Sequence, residues 1–155
     1  MRAAALSLAI ALAARAATAA PPTALVALDG SSVALAPEPG RAQVVHFWAT
    51  WCPSCKDELP ALDRAAAGCG GAVDVIAVDV GDARDDVVAY LAERPIALRV
   101  LLDPDGRAWR AGGGRELPAN RITSAEHTAW VLGPSSEAQW RARLAELGCP
   151  PHGPE

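Results

Sequence analysis

At 155 residues, 51% of them hydrophobic, the chain is long enough for one domain with a buried core and too short for two. Its formal charge is −4 and no cluster of Lys or Arg occurs, which argues against nucleic acid as a partner. Arg outnumbers Lys 13 to 1 and Ala is abundant, a mark of genome composition rather than of function.

Residues 1–19 read as a signal peptide. Arg2 supplies a positive start, Ala3 to Ala14 is apolar apart from Ser7, and Ala17-Thr18-Ala19 offers small residues where a signal peptidase inspects the chain. Cleavage after Ala19 removes Arg2 and Arg15 and leaves the remainder two charges more negative. The alternative is an uncleaved anchor tethering the protein to a membrane, although the apolar run is shorter than the ~20 residues of a spanning helix. The expected location is periplasmic or otherwise exported. One domain is expected over 24–149, followed by a flexible tail, 150–155.

Leu25 to Leu28, the turn Asp29-Gly30 and Ser32 to Leu35 predict a short β-hairpin. Val44 to Trp48 is an apolar run suited to a buried central strand. A helix follows from Pro53 to Ala67, stopped by Gly68, with Pro favoured at its first position and Pro60 expected to kink it. Ala72 to Val80 predicts a second strand, and Asp82 is placed to cap a helix that ends near Glu93. Leu98 to Leu102 forms a third strand, closed by the turn Asp103-Pro104-Asp105-Gly106. Gly112 to Gly114 reads as a mobile loop. Ala119 to Thr123 and Thr128 to Leu132 pair antiparallel, and Pro134 to Leu147 is the last helix. Strands joined by helices on both faces predict an α/β fold, a three-layer sandwich preceded by a hairpin.

Trp51-Cys52-Pro53-Ser54-Cys55 lies where the buried strand turns into a helix. Cys52 takes the cap position, where unpaired backbone N–H groups and the helix dipole favour a thiolate. Cys55 lies one turn further in. An exposed nucleophile with a sheltered partner three residues on is the arrangement dithiol–disulfide exchange requires. The competing reading is half of a zinc site. Structural zinc needs two more ligands at comparable spacing, and Cys69 and Cys149 stand isolated.

The stretch His46-Phe47-Trp48-Ala49-Thr50-Trp51-Cys52-Pro53-Ser54-Cys55-Lys56-Asp57-Glu58-Leu59-Pro60 resembles the active-site segment of the thioredoxin superfamily, and within it the exported TlpA/ResA/CcmG-like disulfide reductases. The resemblance implies a cis-proline opposite the dithiol, a place that Pro118 fills, with Leu117 offering its backbone to a substrate strand. Trp51 and Pro53 would complete the substrate-binding rim. It also implies a proton carrier for Cys55. Glu58 stands where these relatives keep an acidic residue, unless it is an ordinary surface Glu. His46 replaces the Asp or Asn of the family's strand and is either a proton relay or a hydrogen-bonded core residue. The family's Thr after the proline and its acidic-Gly hairpin turn are here Ala119 and Ser124-Ala125-Glu126-His127.

In a thioredoxin-like topology the helices preceding Cys69 and Cys149 end at the same pole, so these two residues are expected to form a structural disulfide. The alternative is a pair of free thiols. Trp109, Trp130 and Trp140 are expected in the core or a groove wall, and His127 and His152 in solvent. Asp103 and Asp105 fit turn chemistry, with too few carboxylates nearby for calcium.

The resemblance thus implies a protein disulfide oxidoreductase, a reductase rather than an oxidase. Its expected partners are disulfide-bearing exported proteins and a membrane thiol electron donor. No cofactor or metal beyond the Cys52–Cys55 pair is expected, and the chain is expected to be a monomer. A peroxidase of the same fold would need a Pro-x3-Thr-x2-Cys setting that the sequence lacks. The remaining alternative is a non-enzymatic metal- or haem-handling chaperone using the two thiolates as soft ligands.

Overall fold

In the computed structural model, residues 24–150 are described. The expected signal peptide over 1–19, most of the expected tail and His152 lie outside them. A hairpin of β1 (Ala24–Ala27) and β2 (Ser32–Ala34) leads into β3 (Ala42–Trp48), α1 (Pro53–Ala66), β4 (Val73–Val80), α2 (Arg84–Glu93) and β5 (Arg99–Asp103). A short α3 (Arg107–Ala111), the pair β6 (Ala119–Thr123) and β7 (Thr128–Leu132), and α4 (Glu137–Glu146) complete the domain.

The strands form one seven-stranded sheet in the order β2-β1-β5-β4-β3-β6-β7. β3, β4 and β5 run parallel, and β1, β2, β6 and β7 pair antiparallel on the two flanks. β3 and β4 are almost wholly buried, as central strands covered on both faces must be. Both crossovers step the same way across the sheet and therefore put α1 and α2 on one face. Val87 and Tyr90 of α2 share a cluster with Leu59, Trp48 and both cysteines of the motif. α4 joins them there, its Trp140 and Leu144 packing with Leu62 and Ala65 of α1. The alternate strand residues Val45, Phe47, Ile76 and Val78 fill the other face, where Ala108 and Trp109 of α3 are the helical cover among the described residues. Among the described residues the sandwich is three-layered but unequal: three helices on one side, little more than one turn on the other.

Five local expectations need correction. Gly68 does not stop the helix: the chain continues as a 3-10 turn through Cys69 and reverses at Gly70, whose φ of 54° suits a residue without Cβ. Asp82 does not cap α2, whose N-cap is Ala83, because its carboxylate is engaged elsewhere. The stretch after β5 is a helix rather than only a turn and loop. There the Asp103 carboxylate accepts the amides of Ala108 and Trp109 at 3.2 and 2.9 Å. The last helix begins at Glu137 rather than Pro134, because Ser136 forms a capping box with Gln139. The triglycine is packed, not loose: a Cβ on Gly114 would overlap the indole of Trp109.

Candidate functional site

β3 delivers the chain to the C-terminal ends of the parallel strands, and four residues separate its end from the start of α1. Between them the Cys52 N–H bonds back to the Ala49 carbonyl at 3.2 Å, and Cys52 adopts the extended backbone of an N-cap. Its sulfur accepts the Cys55 N–H at 3.3 Å, the place a capping oxygen usually takes. Pro53 follows at the first helical position, where a missing N–H costs nothing. Three residues further, Cys55 brings its sulfur back over the same turn. The structure joins the two as a disulfide, Cα–Cα 5.3 Å.

The exposure of the pair differs from expectation. Cys52 is only 4% exposed and Cys55 is fully buried. Bonded to each other, both sulfurs sit in the cluster with Trp48, Leu59 and Tyr90, and the residue that projects is Trp51, 65% exposed. Ser54 places its hydroxyl 3.7 Å from the Cys52 sulfur. Lys56, the one lysine of the sequence, and Asp57 follow on the exposed side of α1.

β6 approaches from the other side. Its first residue, Ala119, pairs with Phe47, and the Leu117–Pro118 bond just before it is cis. Pro118 is buried and its carbonyl accepts the Gly133 N–H at 3.1 Å. Leu117 packs against the cluster that holds the dithiol.

Beneath the dithiol lies a buried polar chain. Glu58 is 1% exposed, not a surface residue. Its Oε1 accepts the indole N–H of Trp140 at 2.9 Å and the amide N–H of Asn120 at 3.1 Å. The Asn120 Oδ1 in turn lies 2.8 Å from Nδ1 of the fully buried His46, its cross-strand partner. Burial pushes the Glu58 carboxyl up to about 7, against the pull of Trp140, Asn120, the Ser135 backbone N–H and the Arg143 charge. Burial drives His46 the other way, to about 4, so its imidazole is neutral. His46 is thus hydrogen-bonded in the core, through Asn120, and not in solvent.

A second carboxyl group supports the motif from β4. Asp79, opposite Trp48 in register and 1% exposed, accepts the Asp82 N–H at 3.2 Å. Burial, the bond to the Asp82 side chain and the charges of Asp82 and Asp103 push its carboxyl up to about 8. Asn120, Trp140, Asp79 and Asp82 are the site neighbours that sequence reasoning missed. Only Asn120 left a usable signal, its place two residues beyond Pro118 on a strand facing His46.

At the opposite pole Cys69 is bonded to Cys149, and both are buried beside Trp140 and Leu144. Neither can then serve as a further ligand at the Cys52–Cys55 end. Trp130 stacks on Phe47 with ring centroids 5.7 Å apart, Trp109 packs beside it, and His127 is exposed in the β6–β7 turn. No helix among the described residues is long and apolar enough to cross a membrane.

The Redoxin family profile matches residues 15–131. The chain belongs to the Redoxin family. Among curated relatives it is 28% identical over 108 residues to the thiol:disulfide interchange protein CycY of Rhizobium leguminosarum bv. viciae, covering 68% of this chain and 57% of that one. It is 32% identical over 99 residues to the thiol:disulfide interchange protein DsbE homolog of Paracoccus denitrificans, covering 56% and 53%. This Redoxin chain therefore spans about half the length of the curated relatives it matches. Among solved structures it is similar to Mycobacterium tuberculosis DsbF, with a TM-score of 0.72 at 26% identity, covering 81% of this chain and 95% of that one. The thioredoxin-like fold expected from residues 46–60 is the fold of these neighbours.

Proposed function

We propose that this Redoxin protein is an exported thiol–disulfide oxidoreductase that reduces disulfides in other exported proteins. The observation that carries the reading is the Cys52–Cys55 bond at the cap of α1, with the buried Glu58 carboxyl one turn further along the same helix. In the reduced protein the Cys52 thiolate, favoured by the N–H groups of the first turn, attacks one sulfur of a target disulfide and expels the other as a thiolate. Cys55 then gives its proton to Glu58, whose carboxyl titrates near neutrality, and attacks the Cys52 sulfur. The second target thiolate leaves and the Cys52–Cys55 disulfide remains. Two electrons have passed to the target, and the pair needs no further cofactor.

In this reading Trp51, Pro53, Leu117 and Pro118 form the docking rim around the dithiol. A membrane thiol donor re-reduces the pair, and residues 1–19 direct export. The direction of electron flow rests on the resemblance of residues 46–60 to disulfide reductases. An equilibrium titration of Cys52–Cys55 against a glutathione or dithiothreitol buffer tests it. A potential near ~−270 mV supports a reductase, and one near ~−120 mV makes the protein an oxidant. Cys52→Ser abolishes insulin-disulfide reduction. Activity surviving that substitution would overturn the reading.

A further inference from the structure

The hydrogen bonds beneath the dithiol have one self-consistent direction when Glu58 is ionised. A carboxylate can only accept, so the Asn120 group facing Glu58 Oε1 is its NH2. That turns the Asn120 carbonyl towards His46 and requires His46 Nδ1 to carry a proton and donate it. With the indole N–H of Trp140 also directed at Oε1, that oxygen has two donors at 2.9 and 3.1 Å. Oε2 is buried and meets no donor among the described residues at hydrogen-bond distance and angle, although the Ser135 N–H also favours the charged carboxyl.

We propose that Asn120 is a positioning residue that, braced by His46 and acting with Trp140, holds Glu58 Oε1 so that the proton from Cys55 enters and leaves through Oε2. This inference rests on Glu58 being the proton acceptor of the exchange reaction. His46 in this arrangement does not relay the proton. Its neutral ring fixes the Asn120 amide through Nδ1, and its Nε2 has no partner among the described residues. The placement ties two parts of the site together, since Asn120 belongs to the strand that begins just after Pro118.

The charged and titratable groups around Glu58 are few. Arg143 contributes a positive charge from α4, His46 reaches it through Asn120 from β3, and Cys55 precedes it by one turn on α1. Buried at Asn120 and Trp140, the carboxylate depends on those two N–H donors for much of what offsets its desolvation.

The test is the pH profile of oxidation of the reduced protein by a small disulfide such as oxidised glutathione, read in single turnover. Asn120→Asp keeps the shape and the acceptor for His46 but removes the donor to Glu58 and adds a like charge. Its inflection moves up by about one pH unit or more. Asn120→Ala and Trp140→Phe each remove one donor and move it the same way by a smaller amount, and neither shifts anything further in a Glu58→Gln background. In wild type, 15N NMR of His46 shows the Nδ1–H tautomer.

An unmoved inflection in Asn120→Asp and Trp140→Phe, in proteins whose Glu58→Gln variant has lost it, overturns the role of Asn120 and leaves Glu58 standing. Cys52 contributes an inflection of its own, which Cys55→Ser reports alone. A second inflection, beyond that one, that persists in Glu58→Gln overturns the Glu58 reading instead. Should Asn120→Asp fail to fold, Trp140→Phe and the His46 tautomer in wild type decide alone. An Nε2–H tautomer refutes the proposal.

Discussion

The carboxylate of Asp82 accepts the backbone N–H of Thr50 at 2.6 Å. The contact spans 32 residues and pins the loop between β3 and Cys52 to the segment leading into α2. Asp82 is itself fixed through its N–H by Asp79, so a carboxyl pair on β4 and its following loop braces the peptide two residues ahead of Cys52.

Removing that brace should be felt locally. Asp82→Ala leaves a part-buried amide without its charged acceptor, a loss of about 1–3 kcal/mol. The expected result is lower stability in urea and faster hydrogen exchange at Thr50 and Trp51, with exchange in α4 unchanged. Uniform acceleration across the domain would contradict a local brace.

Asp79 carries a pH signature. Its folded carboxyl is pushed up to about 8 from an ordinary 3.8, so between those values the unfolded chain has lost a proton that the folded chain keeps. Its contribution to stability is therefore present at low pH and is lost as pH rises through that window. Glu58 acts in the same sense between its ordinary 4.5 and about 7. His46 acts oppositely: its folded value of about 4 lies below 6.5, so the stability of the neutral ring is lost as pH falls between them. Asp79→Asn should match wild type below about pH 4 and gain on it at higher pH, by at most ~1.4 kcal/mol per pH unit. Urea unfolding at several pH values checks this, and parallel curves would refute it.

The Cys69–Cys149 bond closes a loop of sequence separation 80, for which chain entropy predicts a loss of about 4 kcal/mol, an upper figure, on removal. The double variant Cys69→Ala, Cys149→Ala should melt earlier while the Cys52–Cys55 potential stays at its wild-type value. A displaced potential would show that the two bonds are coupled.

Trp51 stands out from the dithiol, 65% exposed, and touches no reacting atom in the proposed chemistry. Trp51→Ala should lower kcat/KM for protein disulfides severalfold, chiefly through KM, and leave the rate with a small disulfide nearly unchanged. Equal losses on both substrates would assign the indole to the chemistry instead.

Much of this site was legible because its signals are local. An apolar run, a capping cysteine and a proline at the first helical position lie within twelve positions of one another, from Val44 to Cys55. Glu58 could be suspected of burial from its helical phase with Cys55. The missed residues are those whose meaning depends on distant chain. Asp82 has the composition of an N-cap, and a backbone amide from Thr50 claims its carboxylate first. Asn120 is a lone polar residue in a short strand until His46 and Glu58 close around it. Asp103 reads as a turn residue, yet its side chain starts α3 four residues later. Gly68 looked like a stop, but a glycine can also continue a helical turn, and the reversal waited for Gly70.

The position of Lys56 has a practical consequence. It offers the sequence's single side-chain primary amine, exposed in the first turn of α1 and one residue after Cys55. Apart from a terminal amino group, every amine-directed reagent is therefore sent to the rim of the dithiol. A short lysine-reactive crosslinker, applied while a partner is docked, would record which face of that partner meets the mouth of the site, with almost no background from the rest of the surface.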